Sequence, residues 1–365
     1  MDEKGKKQKT VKLSVIISIT ISIAIIILIL FFTVDAKTLD QLAHTHIRYE
    51  FFVIAIFLNI LYWILWGLRL KILANAIDKN VNIGLWESTK IVIANLFLAG
   101  ITPSMAGGEP VRIYLLNKDG MSFGGATAAV FGERLIDAIF LLALVPLGIF
   151  IFKDKPGIEA LNLGLTVGVI VFILLIILFL YAIIRPDKTK SFLIYISKKL
   201  SRFSKKKNSE IKVISWINHE VDNFSSSMRR FVGERKKALL LASVVTILFW
   251  STGFLIASMI LLGLGLPPFF LESYAAQALL ILIIMLPLTP GSSGIAEVSI
   301  FVLYGVLLTD PASYALIGVF TILYRFITFH MNVIAGAIFQ YRIFKSITSF
   351  SMDMIKTHEE KPERK

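Results

Sequence analysis

Leu96-Phe-Leu-Ala-Gly-Ile-Thr-Pro-Ser-Met-Ala-Gly-Gly-Glu109-Pro-Val-Arg112 and Ile284-Met-Leu-Pro-Leu-Thr-Pro-Gly-Ser-Ser-Gly-Ile-Ala-Glu297 are two broken apolar stretches with one grammar. In each, Thr-Pro stops a hydrophobic run, small residues and glycines follow, and a glutamate closes the break. The interval is seven residues from Thr102 to Glu109 and eight from Thr289 to Glu297. An apolar helix with one arginine comes next in both cases, carrying Arg134 or Arg325. Pro103 and Pro290 remove backbone donors and interrupt the helix. Gly107, Gly108, Gly291 and Gly294 then serve as hinges for a tight reversal, leaving free N–H groups at the next helix start, which attract anions. A plain hairpin whose glycines only permit packing is the other reading. Paired interrupted segments at matching places in two halves point to the substrate site of a transporter.

The rest of the chain fits a membrane setting. Of 365 residues, 56% are hydrophobic and only 17% charged, and the mean hydropathy is +0.76. Soluble domains carry nearer a quarter charged residues, so the expectation is a polytopic all-α membrane protein with a single domain over 1–345. There is no cysteine, which excludes disulfides and thiolate metal sites. No phosphate-binding loop, HExxH or plausible metal cluster occurs, so no cofactor, metal or catalytic residue is expected, and the chain is read as not an enzyme.

Apolar runs at 13–34, 51–68, 126–152, 161–184, 238–262 and 312–341 predict six full spans. Ile91–Ile101 holds eleven residues before its break, too few for the roughly 20 that cross the hydrocarbon core. This piece, and the one at 274–308, is expected to enter and return. Trp63, Trp66, Arg69 and Lys71 read as an aromatic-then-basic exit from the second span. The one extended polar region, 185–237, has fifteen Lys/Arg against five Asp/Glu. Its two amphipathic patterns (Phe192, Leu193, Ile196, Leu200, Phe203 and Ile214, Ile217, Val221, Phe224, Met228, Phe231) suit helices on an anionic inner leaflet, or a site for a protein partner.

With both breaks re-entrant, 32 of the 38 Lys/Arg fall on one side and four on the other. The positive-inside rule then sets both termini in the cytoplasm of a multi-pass plasma-membrane protein. The net charge of +13 is accounted for by this asymmetry, so no nucleic-acid partner is expected. The first half (11–152) and second half (161–341, with 185–237 inserted) become an inverted repeat of spans and re-entrant hairpins, which suits alternating access. Residues 346–365 form a charged cytoplasmic tail.

Charges within spans cost at least about 2.5–3.5 kcal/mol each, so they are functional candidates. Here they are Glu109, Glu133, Arg134, Asp137, Glu297 and Arg325, and Arg112 ends the first break. Glu133 and Asp137 share a helix face and Arg134 is three residues before Asp137, so a local ion pair that eases insertion is one reading. The other is that Arg134 holds an anionic head group, because guanidinium binds phosphate bidentately. Arg325 has no acid near it in sequence, and its partner is Glu297, Glu109 or a ligand phosphate. Thr328 and Asn332 share its face, and Thr102, Thr289 and Asn332 complete the candidate substrate-binding set. His330 is a candidate proton-linked group or a packed neutral histidine.

Thr-Pro-Ser-Met-Ala-Gly-Gly-Glu-Pro-Val-Arg at 102–112, Gly-Glu-Arg-Leu-Ile-Asp at 132–137, Leu-Thr-Pro-Gly-Ser-Ser-Gly-Ile-Ala-Glu at 288–297 and Tyr-Arg at 324–325 resemble the lysylphosphatidylglycerol synthase transmembrane-region family, or flippase-like domain family. The resemblance covers roughly residues 10–345. That family includes the membrane half of the multiple peptide resistance factor, which translocates aminoacylated phosphatidylglycerol. Full-length synthases carry a soluble transferase domain after the membrane part, and here 24 residues follow the last span. The resemblance therefore implies lipid handling without the synthase reaction. The expected partners are membrane lipids, with a homo-oligomer left open. The alternatives are a proton-coupled transporter of a small soluble anion, a membrane transferase acting on a lipid-linked sugar, and a regulatory scaffold built on the basic loop.

Overall fold

The computed structural model describes residues 41–78, 81–102, 107–155, 159–201, 210–286, 289 and 291–339. The expected span at 13–34, Pro103, Pro290 and the charged tail lie outside the described residues. Those described are helical with no strand. In chain order the helices are α1 (Tyr49–Ile77), α2 (Leu85–Ile101), α3 (Gly108–Lys118), α4 (Phe123–Phe152), α5 (Glu159–Ile184), α6 (Pro186–Ser201) and α7 (Glu210–Glu234). They continue with α8 (Lys236–Gly263), α9 (Phe270–Ile284), α10 (Ile295–Gly305), α11 (Pro311–Ala315) and α12 (Ile317–Phe339). Among the described residues five helices, α1, α4, α5, α8 and α12, are long and apolar enough to cross a membrane.

α1 and α8 pack antiparallel along their lengths. Gly263 lies against the Phe52 ring and Gly253 against Tyr62, and Arg69 bonds Thr246 at 3.3 Å. A bond from the Arg48 N–H to the Gly263 carbonyl (2.9 Å) fastens the end of α8 beside the start of α1. This fixes where the broken segments enter. The α2–α3 hairpin starts beyond the end of α1, whereas the α9–α10 hairpin starts beyond the end of α8, at the opposite end of the bundle. Their arms of 17 and 11 residues and of 15 and 11 residues are all shorter than a crossing helix. The two tips meet inside the bundle, where the Gly291 N–H donates to the Thr102 carbonyl at 3.1 Å. Here the descending and ascending hairpins of the predicted inverted arrangement touch.

Each hairpin then packs on a crossing helix. Gly100 of α2 abuts Val333 of α12, and Gly336 of α12 abuts Phe97. Gly148 of α4 receives Leu279 of α9. α5 covers the outside of α9 at Gly168 and leaves Leu163, Leu174, Leu175, Ile177 and Leu178 exposed, as a lipid-facing helix must. α12 passes through one π-turn at Phe326–His330, directly after Arg325, a feature that often marks functional sites. Ahead of it Asp310 caps α11, and bonds from the Ser313 hydroxyl and N–H hold its carboxyl below the usual pKa.

Two sequence expectations are corrected. The apolar face of α7 does not lie open to a leaflet: Ile217, Val221, Met228 and Phe231 are buried. They pack where Trp216 meets Phe123 of α4 (5.2 Å between centroids), and Glu220 accepts the Gly124 N–H at 2.6 Å. Only α6 keeps its apolar residues outward, with Phe192, Leu193 and Ile196 exposed. Nor is Arg69 an interfacial flank of a span that stops at 68. α1 runs on to Ile77, and Arg69 and Trp66 are buried within it.

Candidate functional site

Both halves place a glutamate in the first turn of the short helix after the break, where the helix dipole favours a carboxylate. Both then pair it with the arginine of the following crossing helix. Arg134 donates through Nε to Glu109 at 2.8 Å, and Arg325 donates through Nε to Glu297 at 2.8 Å. Same residue types, same atoms and same distance recur after the two breaks. Glu297 uses its second oxygen on the Gly294 N–H (2.7 Å), tying the hinge to the charge pair.

In the first half the pair sits in a larger network. Arg69 binds both Glu133 and Asp137, and Arg112 bonds Glu133 at 2.6 Å. Arg112 lies 3.8 Å from Glu109 and Arg134 lies 3.5 Å from Asp137. Trp250 donates to Asp137 at 2.8 Å. Three arginines thus face three carboxylates, and the network is neutral. Arg69, Arg112 and Glu133 are fully buried, while Arg134 keeps 27% of its side chain exposed. Glu133 and Asp137 therefore serve this network, and Arg134 is its accessible edge. Arg69 escaped the sequence reading. The signal was present in Asn59, Tyr62, Trp66 and Arg69, which follow one helix face at three- and four-residue steps.

In the second half Arg325 and Glu297 form a pair with no further charged partner among the described residues. Arg325 lies over the Phe329 ring at 4.0 Å, and its buried Nη2 has no hydrogen-bond partner among the described residues. The Nδ1 of His330 lies 3.1 Å from the Arg325 carbonyl. Thr102 and Thr289 spend their hydroxyls within their own hairpins. Thr102 accepts the Gly107 N–H (2.8 Å) and donates to Leu98 (2.7 Å), and Thr289 donates to Ser293 (2.9 Å). Asn332 accepts from Asn59 (3.0 Å) and Trp63 (2.9 Å). At the other hinge Gly108 admits no Cβ, which would overlap the Asn95 side chain.

Arg134 and Arg325 open onto one cavity of about 170 Å³ beside the tips. Its walls come from α1 (Asn59, Tyr62, Trp66), α2 (Leu96, Ala99, Gly100), α8 (Trp250, Phe254), α9 (Gln277, Ile281) and α12 (Tyr324, Phe329, Asn332). Glu109, Glu133, Asp137 and Glu297 are not among the lining residues. Among the described residues no cluster of His, Cys, Asp and Glu is arranged to hold a metal.

The model of the lysylphosphatidylglycerol synthase TM region matches residues 15–336. A UPF0104 membrane protein of Archaeoglobus fulgidus is 34% identical over 299 residues, covering 80% of this chain and 87% of that protein. A UPF0104 membrane protein of Pyrococcus horikoshii is 26% identical over 327 residues, covering 86% and 93% respectively. No solved structure matches. The chain is thus a multi-pass membrane protein that belongs to the lysylphosphatidylglycerol synthase transmembrane-region family, alongside UPF0104 membrane proteins of archaea.

Proposed function

We propose that this protein is a translocase for a phosphate-bearing lipid or lipid-linked carrier, holding the head group between Arg134 and Arg325. One observation carries the reading: an arginine from each half of the internal repeat faces a single cavity at the point where two opposed hairpins touch. A site at the junction of inverted repeats is reached from either side by small rocking of one half against the other. The apolar and aromatic walls, with a lipid-facing α5 outside them, favour a substrate whose chain stays in the bilayer over a free soluble anion. The role is transport rather than catalysis. The protein acts in the plasma membrane with both termini in the cytoplasm, and the basic α6 rests on the anionic leaflet through its exposed Phe192 and Ile196.

The test is a scrambling assay in reconstituted vesicles with fluorescent lipids of several head groups. Flipping that depends on head group and falls at least tenfold in Arg325→Lys supports the reading. A folded protein that flips none of the lipids, yet takes up a soluble anion down a proton gradient, replaces it with the anion transporter.

A further inference from the structure

The hydrogen bonds of the cavity wall narrow the choice of cargo, taking the translocase reading as given. Gln277 is spent at both ends, donating to Tyr304 (2.8 Å) and accepting from Tyr324 (2.6 Å). Asn332 accepts two bonds and donates a third to the Thr328 carbonyl at 2.6 Å. The Trp250 indole is committed to Asp137. Among the described residues, two that line the cavity keep a buried polar atom with no partner, Nη2 of Arg325 and Nε1 of Trp66. Both are donors. No carboxylate lines the cavity among the described residues.

Two unpartnered donors and no lining carboxylate among the described residues suit an anion and leave an ammonium without a counter-charge. Aromatic walls hold ammonium groups in other settings through ring faces. Here guanidinium groups already lie over those rings: Arg134 at 5.8 Å from Trp66 and Arg325 at 4.0 Å from Phe329. A second cation is repelled. The volume of about 170 Å³ is close to that of an apolar cavity of roughly 150 Å³ that takes up one benzene, which limits the buried part to a phosphate and its first substituent.

We infer that the cavity selects a lipid whose head group is a phosphate without an ammonium, and rejects zwitterionic and aminoacylated head groups. This differs from the aminoacylated lipid of the multiple peptide resistance factor, which the resemblance alone suggests.

Calorimetric titration of the purified full chain in detergent tests this without requiring transport. The ligands are short-chain phosphatidate, phosphatidylethanolamine, lysylphosphatidylglycerol and inorganic phosphate. Phosphatidate is expected to bind at least about tenfold more tightly than either ammonium-bearing lipid. Arg325→Lys, which keeps the charge beside Glu297, and Trp66→Phe, which removes only the indole donor, should each weaken it about tenfold, the scale of one hydrogen bond to a charged group. Equal or tighter binding of phosphatidylethanolamine or lysylphosphatidylglycerol overturns the inference. Inorganic phosphate binding as tightly as phosphatidate upholds the anion-selective donors and overturns the lipid as their ligand. Selective binding in a protein that fails to flip lipid leaves the inference standing and defeats only the translocase reading.

Discussion

Gly291 donates its backbone N–H to the carbonyl of Thr102 at 3.1 Å, joining two hairpins that enter the bundle from opposite ends. Its φ of +58° belongs to the left-handed region. A Cβ there would overlap the Gly100 carbonyl and press on the Phe329 ring that lies under Arg325. Gly291→Ala therefore pays twice, with about 1–2 kcal/mol for the backbone alone, and pushes the tips apart at the cavity. The expected result is a lower melting temperature in detergent together with slowed lipid flipping. Gly84→Ala is the control, because Gly84 has negative φ and nothing within 4 Å of the added atom. Equal behaviour of the two variants would remove the tip contact from the mechanism.

Arg325 and Glu297 separate a structural from a ligand role. Arg325→Ala leaves Glu297 buried without its partner, a loss of about 3–5 kcal/mol, so this single variant confounds folding with function. Arg325→Ala combined with Glu297→Ala removes both charges, and most of the lost stability should return. Transport should not return if the guanidinium holds the head group. Recovery of flipping in the double variant would make the pair a scaffold only.

Arg69 is the strongest structural prediction. It is wholly buried, binds Glu133 and Asp137, and lies over Phe249 at 4.4 Å. Replacing it with Met leaves two arginines against the three carboxylates of the network, one buried negative charge uncompensated, and the loss should be about 3–5 kcal/mol. Arg134→Gln, at the half-open edge, should lower the melting temperature less and impair flipping more. The ratio of the two effects is the measurement, and the reverse order would place Arg134 in the scaffold.

These residues also show what a sequence can and cannot reveal. The Thr-Pro, glycine and glutamate of each break are local, and local chemistry was enough to mark where the helices are interrupted. Glu297 was one of the partners open to Arg325, because a lone buried cation demands an acid. For Arg134 the helical spacing gives a contact but the weaker one, with Asp137 at 3.5 Å. Asp137 and Glu133 are its neighbours on the helix, yet the 2.8 Å bond goes to Glu109, since α3 folds back along α4 and tertiary proximity outranks helical spacing. Arg69 was hidden by Trp63 and Trp66, which imitate an interfacial belt. For α7, periodicity establishes that one face is covered, but a bilayer and a protein neighbour demand the same pattern.

α6 and α7 both have amphipathic sequences, but only α7 has its apolar face covered: Met228 and Phe231 are each 1% exposed, whereas Phe192 is 61% exposed. Met228→Asp buries an unpaired carboxylate against Gly132 of α4, and a group so placed costs several kcal/mol. Phe192→Asp meets no such penalty. In detergent, melting should fall sharply for Met228→Asp and stay within about 0.5 kcal/mol of the parent for Phe192→Asp, as surface changes do. In vesicles rich in anionic lipid the order should shift, because Phe192→Asp removes an apolar anchor and adds negative charge opposite a negative surface. A peptide of residues 186–201 carrying Phe192→Asp should then bind such vesicles more weakly than the parent peptide. If both peptides bind alike, α6 is not held on the leaflet through this face.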